Sequence, residues 1–200
     1  MAKKQKNIDM FPLGIFLLPG EDIPLRIFEP RYIQLINEIN ESKKTFAIPY
    51  IKDYEMKLYG SEVELSSIIA RNSKSEMVIM VKGVKNFHLL DFNDIKPNKL
   101  YGDGTIEYID DKYFSTNPEL AVLIKKLKLN IDPIYGTLNT GSAMNLTAVA
   151  SSIMLNSEEK YTFYTLRDAF KMERFLLKRL KFIERIQSQE KLLENNFSLN

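Results

Sequence analysis

The chain contains no cysteine and a single histidine, His88, in 200 residues. Without cysteine there is no disulfide framework, no thiolate zinc site and no cysteine nucleophile. With one histidine there is no multi-histidine metal centre, and a Ser-His-Asp arrangement has no base but His88. Lack of cysteine agrees with a reducing compartment. An excess of one charge is also missing. Lys and Arg number 28 against 26 Asp and Glu, a net +2, which gives no global attraction to nucleic acid or anionic lipid. Long apolar runs are absent too. The stretch 11–18 is interrupted by Pro12 and Gly14, too short to span a bilayer, and the basic start MAKKQKNID lacks the apolar segment of a signal peptide. The expectation is a cytoplasmic protein with no membrane association.

What is present suits one good-sized globular unit, or one with a helical appendage. Hydrophobic residues make up 44% and charged residues 27%, ordinary for a globular protein. Residues 1–7 read as a disordered polar tail. From Ile8 to Leu18 both alternating faces are apolar, as in a strand buried on both sides. Pro19-Gly20 breaks it, Glu21-Asp22 completes a polar turn, and 23–28 resumes an extended run. Glu29-Pro30 reads as a helix entrance. Tyr32, Leu35, Ile36 and Ile39 then form one apolar stripe of a helix ending near Ser42.

Further strands are expected over 45–51, 61–70, 77–81, 84–90 and 100–109, with Tyr59-Gly60 a turn and Lys82-Gly83 a tight hairpin or bulge. The character then changes. Asn117-Pro118-Glu119, Asn145 and Ser157-Glu158-Glu159 are helix starts. A last helix begins near Asp168 and runs past Leu193, with an apolar stripe of Ala169, Phe170, Leu176, Leu177, Leu180 and Ile183. Sustained heptads are missing, so it reads as packed on its own domain with an exposed end rather than as a coiled-coil dimer. The class is α+β: a β-rich subdomain over 8–115 holding one inserted helix, then a helical subdomain over 116–200.

One stretch carries a family likeness. Phe11-Pro12-Leu13, Leu18-Pro19-Gly20, Pro24-Leu25 and Ile27-Phe28-Glu29-Pro30-Arg31-Tyr32 together resemble the opening signature of the Lon protease N-terminal domain. Val81-Lys82-Gly83-Val84-Lys85-Asn86-Phe87 is similar to the family's strand-glycine-strand segment, and 146–180 to its closing helices. The resemblance implies a PUA-like β-barrel with an inserted helix, followed by a C-terminal helical bundle ending in a long helix. It implies a stand-alone substrate-recognition domain whose signature residues Pro12, Pro19, Gly20, Phe28, Glu29, Arg31, Tyr32 and Gly83 are structural. Glu29 and Arg31, set among apolar residues, are expected to lock the fold as a polar cluster.

Chemistry is sparse by comparison. Gly136 to Ala143 has the glycine spacing of a phosphate loop, but Ser142 stands where the lysine belongs and Ala143 where the magnesium-binding hydroxyl belongs. It reads as a loop before a capped helix. No Gly-x-Ser-x-Gly elbow occurs. His88 reads as a partly buried strand residue. Glu62 and Glu64 share a strand face, and Asp103, Glu107, Asp110 and Asp111 cluster in sequence, yet without the spacing of a calcium loop. A solvated face is the simpler reading for both groups. No catalytic, cofactor or metal residues are assigned, and no cofactor is expected.

The resemblance thus points to a non-enzymatic module that binds polypeptide substrates or a partner protein or protease, as a monomer or weak dimer. The 12 Phe and 10 Tyr supply aromatics for a groove or exposed patch. The alternative is an RNA-binding PUA-like protein, for which Lys82, Lys85 and the run Lys125, Lys126 and Lys128 are the local support, although near-neutral charge makes nucleic acid unlikely. A hydrolase or peptidase-related activity is a third reading.

Overall fold

A computed structural model describes residues 4–108, 112–131 and 143–197. The first strand, β1 (Gln5–Met10), pairs antiparallel with the late strand β6 (Gly102–Tyr108), so the chain's start and the end of the β-rich part are neighbours. Between them come β2 (Asp22–Ile27), α1 (Pro30–Ser42), β3 (Phe46–Lys52), β4 (Glu55–Arg71) and β5 (Met77–Asn93). Their order in the sheet is β2-β5-β4-β3-β1-β6, and β5 also pairs with β6. That last pairing closes five strands into a barrel and leaves β2 as an added strand on one half of β5. Closure removes open edges around the barrel, the usual hazard of a β-rich unit, and leaves them only at β2 and at the end of β4 beyond Val63.

Two chain segments differ from the sequence reading. Residues 5–7 are not a tail, because Gln5, Lys6 and Asn7 form ladder pairs with Glu107, Ile106 and Thr105. Polar composition hid this strand. Nor is 8–18 one strand. The ladder strand ends at Met10, and 11–13 follow β3 in parallel through Phe11 N–H to Ala47 carbonyl and Leu13 N–H to Pro49 carbonyl, 2.8 and 3.1 Å. Pro12 falls between those two donors, where no N–H is needed. Phe16, Leu17 and Leu18 are then fully buried without a ladder. Ser61 and Asn86 hold them instead: the Leu17 amide donates to Ser61 Oγ at 2.9 Å, and its carbonyl accepts from Ser61 Oγ and Asn86 Nδ2 at 2.8 and 2.7 Å. The apolar pattern here records burial, not strand.

The Pro19-Gly20 turn is real. Gly20 has φ 88° and Glu21 N–H reaches the Leu18 carbonyl at 3.2 Å, the form that wants proline second and glycine third. Gly83 is not a hairpin. It lies inside the continuous β5, where the ladder to β4 shifts register between Glu62 and Val63, a bulge. A Cβ on Gly83 would stand 2.4 Å from the Leu18 carbonyl oxygen. Tyr59-Gly60 is likewise within β4, and a Cβ on Gly60 would meet the Phe87 ring at 2.4 Å. Both glycines make room for close packing.

α1 buries Tyr32, Leu35, Ile36 and Ile39, the stripe read from the sequence. They join Ile27, Phe46, Ile48, Val63, Ile79 and Val81 in the larger core. A smaller one gathers Ile8, Met10, Ala47, Phe87 and Ile106.

The chain divides into two compact units, one of 1–111 with 156–161, the other of 112–155 with 162–200. In the second, β7 (Phe114–Ser115) pairs with β8 (Met144–Asn145), and α2 (Pro118–Lys126) and α3 (Leu146–Ser151) pack on the long α5 (Ala169–Phe197). Asn117 and Asn145 cap α2 and α3 as expected, accepting from the Glu119 and Thr147 amides at 2.9 Å. The remaining helix, α4 (Ser157–Thr165), is capped by Asn156 rather than Ser157, through a reciprocal pair of 2.9 Å bonds with Glu159. This is a capping box. Among the described side chains of α5 the buried residues are Met172, Leu176 and Leu180, while Phe170 is exposed. No helix among the described residues is long and apolar enough to cross a membrane.

Candidate binding surface

Charged groups of the barrel unit fall into two kinds. The first kind is enclosed. Glu62 on β4 is 5% exposed, unlike its neighbour Glu64. Its Oε1 accepts from Lys6 Nζ at 2.7 Å and Thr45 Oγ1 at 2.5 Å, and its Oε2 accepts from the Tyr108 hydroxyl at 2.7 Å. Burial pushes the Glu62 pKa up, but the donors Lys6, Thr45 and Tyr108 together outweigh it and hold the group below the usual carboxylate value. Burial and this carboxylate raise the Tyr108 phenol. The Lys85 ammonium sits 4.7 Å above the Tyr108 ring. A cleft of about 290 Å³ lies alongside, lined by Lys6, Asn7, Ile8, Asp9, Lys44, Thr45 and Lys96. Two of its three cations are already engaged, Lys6 by Glu62 and Lys96 by Asp9 at 2.5 Å. The arrangement braces β1, β4 and β6.

His88 is about 29% exposed, with Nδ1 4.0 Å from Glu107 Oε2 and its ring 5.4 Å from Tyr59. Asp103 accepts from Asn93 Nδ2 at 3.1 Å. Asp110, Asp111 and the 136–142 part of the phosphate-loop look-alike lie outside the described residues. Among the described residues no group of three His, Asp or Glu side chains is placed to hold a metal.

The signature cluster is at the surface. Glu29 occupies the N-cap position of α1 without capping it. Its Oε2 meets Arg31 Nη2 at 2.9 Å, and the two side chains are 41% and 45% exposed. This corrects the expectation of a lock among apolar residues: the helix entrance faces solvent, and only the next residue turns inward. Tyr32 is buried, its ring 3.8 Å from that of Phe11 and its outer face under Arg31 at 4.5 Å. Phe28 is 58% exposed.

The second kind of charge edges an open sheet face. Here β2, β5 and the end of β4 lie side by side, with Leu25, Ile27, Ile79 and Val81 facing the core. Alternation puts the other residues outward. The ladder sets them in rows: Arg26, Val78 and Ala70; then Pro24, Met80 and Ser67; then Asp22, Lys82 and Glu64. Phe28 follows Arg26 at the same two-residue spacing. The centre of this face is apolar. One end carries Arg26, opposite Glu76, and the other carries two acids and one lysine. A cleft of about 200 Å³ at the Arg26 end is lined by Arg26, Ala70, Arg71, Asn72, Glu76, Met77 and Val78. The sequence reading missed this face, because its signal is cross-strand and its β4 part is offset by register shifts at 65/67 and 68/70.

A barrel closed this way, with one inserted helix and a separate helical unit, defines an α+β PUA-like class. The chain belongs to the ATP-dependent protease La (LON) substrate-binding domain family, whose model matches residues 7–194. Two solved structures share the fold. The Lon N-terminal domain protein from Xanthomonas campestris superposes with a TM-score of 0.62 at 21% identity, over 86% of this chain and 98% of that one. The N-terminal domain of the Mycobacterium avium complex Lon protease gives 0.61 at 12% identity, over 88% and 98%. Comparison with curated proteins gives no match.

Proposed function

We propose that this chain is a polypeptide-binding module that carries out no chemistry of its own and holds its partners on the outer face of β2, β5 and β4. One observation carries the reading: an outer sheet face with an apolar centre, the exposed Pro24 and Ala70 and the half-buried Met80 and Val78, and Arg26 at its end, on a fold of the substrate-binding family. Apolar area flanked by arginine and an exposed Phe is the composition of protein-binding hot spots. The partners are polypeptide substrates or a partner protease, met in the cytoplasm by a monomer or weak dimer. The enclosed acid, Glu62, has its oxygens committed to three donors, which suits a brace rather than a catalytic base.

RNA recognition finds little support, since it needs a continuous basic stripe. Lys6, Lys96 and Lys99 are each paired with a carboxylate, as are Lys52, Lys57 and Lys160. The test is anisotropy or crosslinking with a permanently unfolded polypeptide, carboxyamidomethylated lactalbumin. Binding that falls at least tenfold in Met80→Asp, with the melting temperature little changed, is the expected result. Equal binding by that variant would remove the face from the proposal.

A further inference from the structure

The long helix α5 sorts its charges by face. The buried Met172, Leu176 and Leu180 mark its inner side. On the opposite side stand Lys171, Arg174, Lys178, Lys181 and Arg185, all exposed. At 3.6 residues per turn these five fall within about 80° around the axis, and none of Glu173, Glu184 and Glu190 shares that arc. Glu173 and Glu184 turn instead toward α2. Glu173 accepts from Asn117 Nδ2 at 2.8 Å, and Glu184 pairs with Lys126.

A solvated helix face ordinarily mixes both signs. Here one sign stands alone. Lys181 meets Glu119 of α2 at 2.7 Å, but among the described residues no ion pair engages Lys171, Arg174, Lys178 or Arg185. Like charges three and four residues apart destabilise a helix, so the row is relieved when an anion lies along it. The excess extends to the whole helical unit. Residues 112–155 with 162–200 hold twelve Lys and Arg against seven Asp and Glu, whereas the barrel unit holds sixteen against nineteen. Near-neutrality of the chain thus hides two opposite balances. Two exposed rings bound the row. Phe170 is 65% exposed, with the Arg174 guanidinium 5.7 Å from its centre, and Phe182 is 52% exposed, with Arg179 at 5.5 Å.

Spacing selects the anion. The cations recur at intervals of three, four, three and four residues, axial steps of roughly 4.5 and 6 Å. A second helix with acids at the same intervals matches every step, as flanking charges do in paired helices. Carboxylates on one side of an extended strand stand roughly 6.7 Å apart, and phosphates rise roughly 3.4 Å along each strand of a duplex, so both drift out of step. A second copy of this chain would bring like charges together.

We propose that the outer face of α5 docks an acidic helix of a partner protein, with carboxylates opposite Lys171, Arg174, Lys178 and Arg185 and apolar side chains against Phe170 and Phe182. This surface belongs to the helical unit and does not depend on the reading of the barrel face.

The test uses the full chain and a fluorescent helical peptide, three repeats of Glu-Ala-Ala-Glu-Leu-Ala-Leu, whose acids recur at three and four. Its control holds the same residues reordered so that the acids ring the helix. Anisotropy should show the first peptide binding at least tenfold tighter, an advantage lost in 0.5 M salt. Lys171→Glu with Arg174→Glu should lose that peptide and gain one carrying Lys for both Glu of the middle repeat; the gain itself shows that the variant folds. Equal binding of the two acidic peptides overturns the inference, as does binding of neither. Tighter binding of an oligoribonucleotide or of phosphatidylserine vesicles than of the first peptide, lost in the variant, overturns it as well.

Discussion

The Glu62 cluster and the Arg26–Arg71 cleft hold charges on one sheet, but they differ in saturation. Glu62 has three donors for its two oxygens within 2.5 to 2.7 Å and almost no solvent contact. Arg26 has one carboxylate at 3.5 Å, and Arg71 a neutral amide. A buried ion with every partner supplied is committed to the fold, since any ligand would have to break bonds already formed. A guanidinium only partly matched at the surface still has donors to offer. Saturation, more than charge, separates the braced interior from the open face.

The largest expected effect lies where the interior is most committed. Gly83→Ala places a methyl 2.4 Å from a backbone oxygen of Leu18, and neither strand nor loop can move aside without breaking the Gly20 and Glu21 bonds to Gly83, both 2.8 Å. It should cost about 3 kcal/mol in chemical denaturation. A cost under about 1 kcal/mol would show that the segment 17–21 is not fixed as described.

Glu62→Gln comes next, at about 2–3 kcal/mol. The usual 3–5 for one partner of a buried pair is reduced because Lys6, 38% exposed, can swing to water. Polypeptide binding by the folded protein should not change; a change would break the contrast between the two regions. The acid limb gives a second readout. The Glu62 pKa is lowered in the fold, so its stabilisation is present above the unfolded value near ~4.3 and is lost as pH falls through the folded value. Burial raises Glu21 despite its Lys160 and Leu18 partners, so Glu21 works the other way: it favours the fold at low pH and loses that contribution as pH rises through its folded value. Glu62→Gln should flatten the loss of stability on acidification, and Glu21→Gln should steepen it.

On the open face the stability effects shrink and the binding effects grow. Phe28→Ala should change stability by no more than about 0.5 kcal/mol, since the ring is largely solvated. It should still weaken binding of unfolded polypeptide several-fold, measured by anisotropy at a temperature where both proteins are folded. A loss of about 2 kcal/mol in stability would move Phe28 to the interior side of the comparison.

How much of this was legible in the sequence follows the range of the interactions. Local signals held: the α1 stripe of Tyr32, Leu35, Ile36 and Ile39, the Asn117 and Asn145 caps, and the Pro19-Gly20 turn depend on residues a few positions apart. The family signature, also local, led to the right fold. Signals that needed a distant partner were lost. Gln5 to Asn7 is strand because of β6, a hundred residues on. Gly60 and Gly83 mimic turns but answer to Phe87 and Leu18. Glu62 looks like a solvated strand acid until Lys6, Thr45 and Tyr108 close on it. The rows of the open face exist only in the register of three strands, and two of those registers shift.

Glu29 and Arg31 should give the smallest effect, and they mark the boundary between the two regions. Their sequence setting, among Ile27, Phe28, Pro30 and Tyr32, suggests a buried pair, but the 2.9 Å contact is exposed on both sides. Exposed pairs contribute roughly 0–1 kcal/mol and weaken with salt. Glu29→Ala should therefore cost less than about 1 kcal/mol, part of it from losing a negative charge at the start of α1. Arg31→Ala should cost slightly more, because its guanidinium also covers the Tyr32 ring at 4.5 Å. A double-mutant cycle isolates the pair itself, and its coupling should be below about 1 kcal/mol and should fade in high salt. A coupling above about 2 kcal/mol that ignores salt would mean the pair is desolvated, and the line between braced interior and open face would then run outside α1 rather than beneath it.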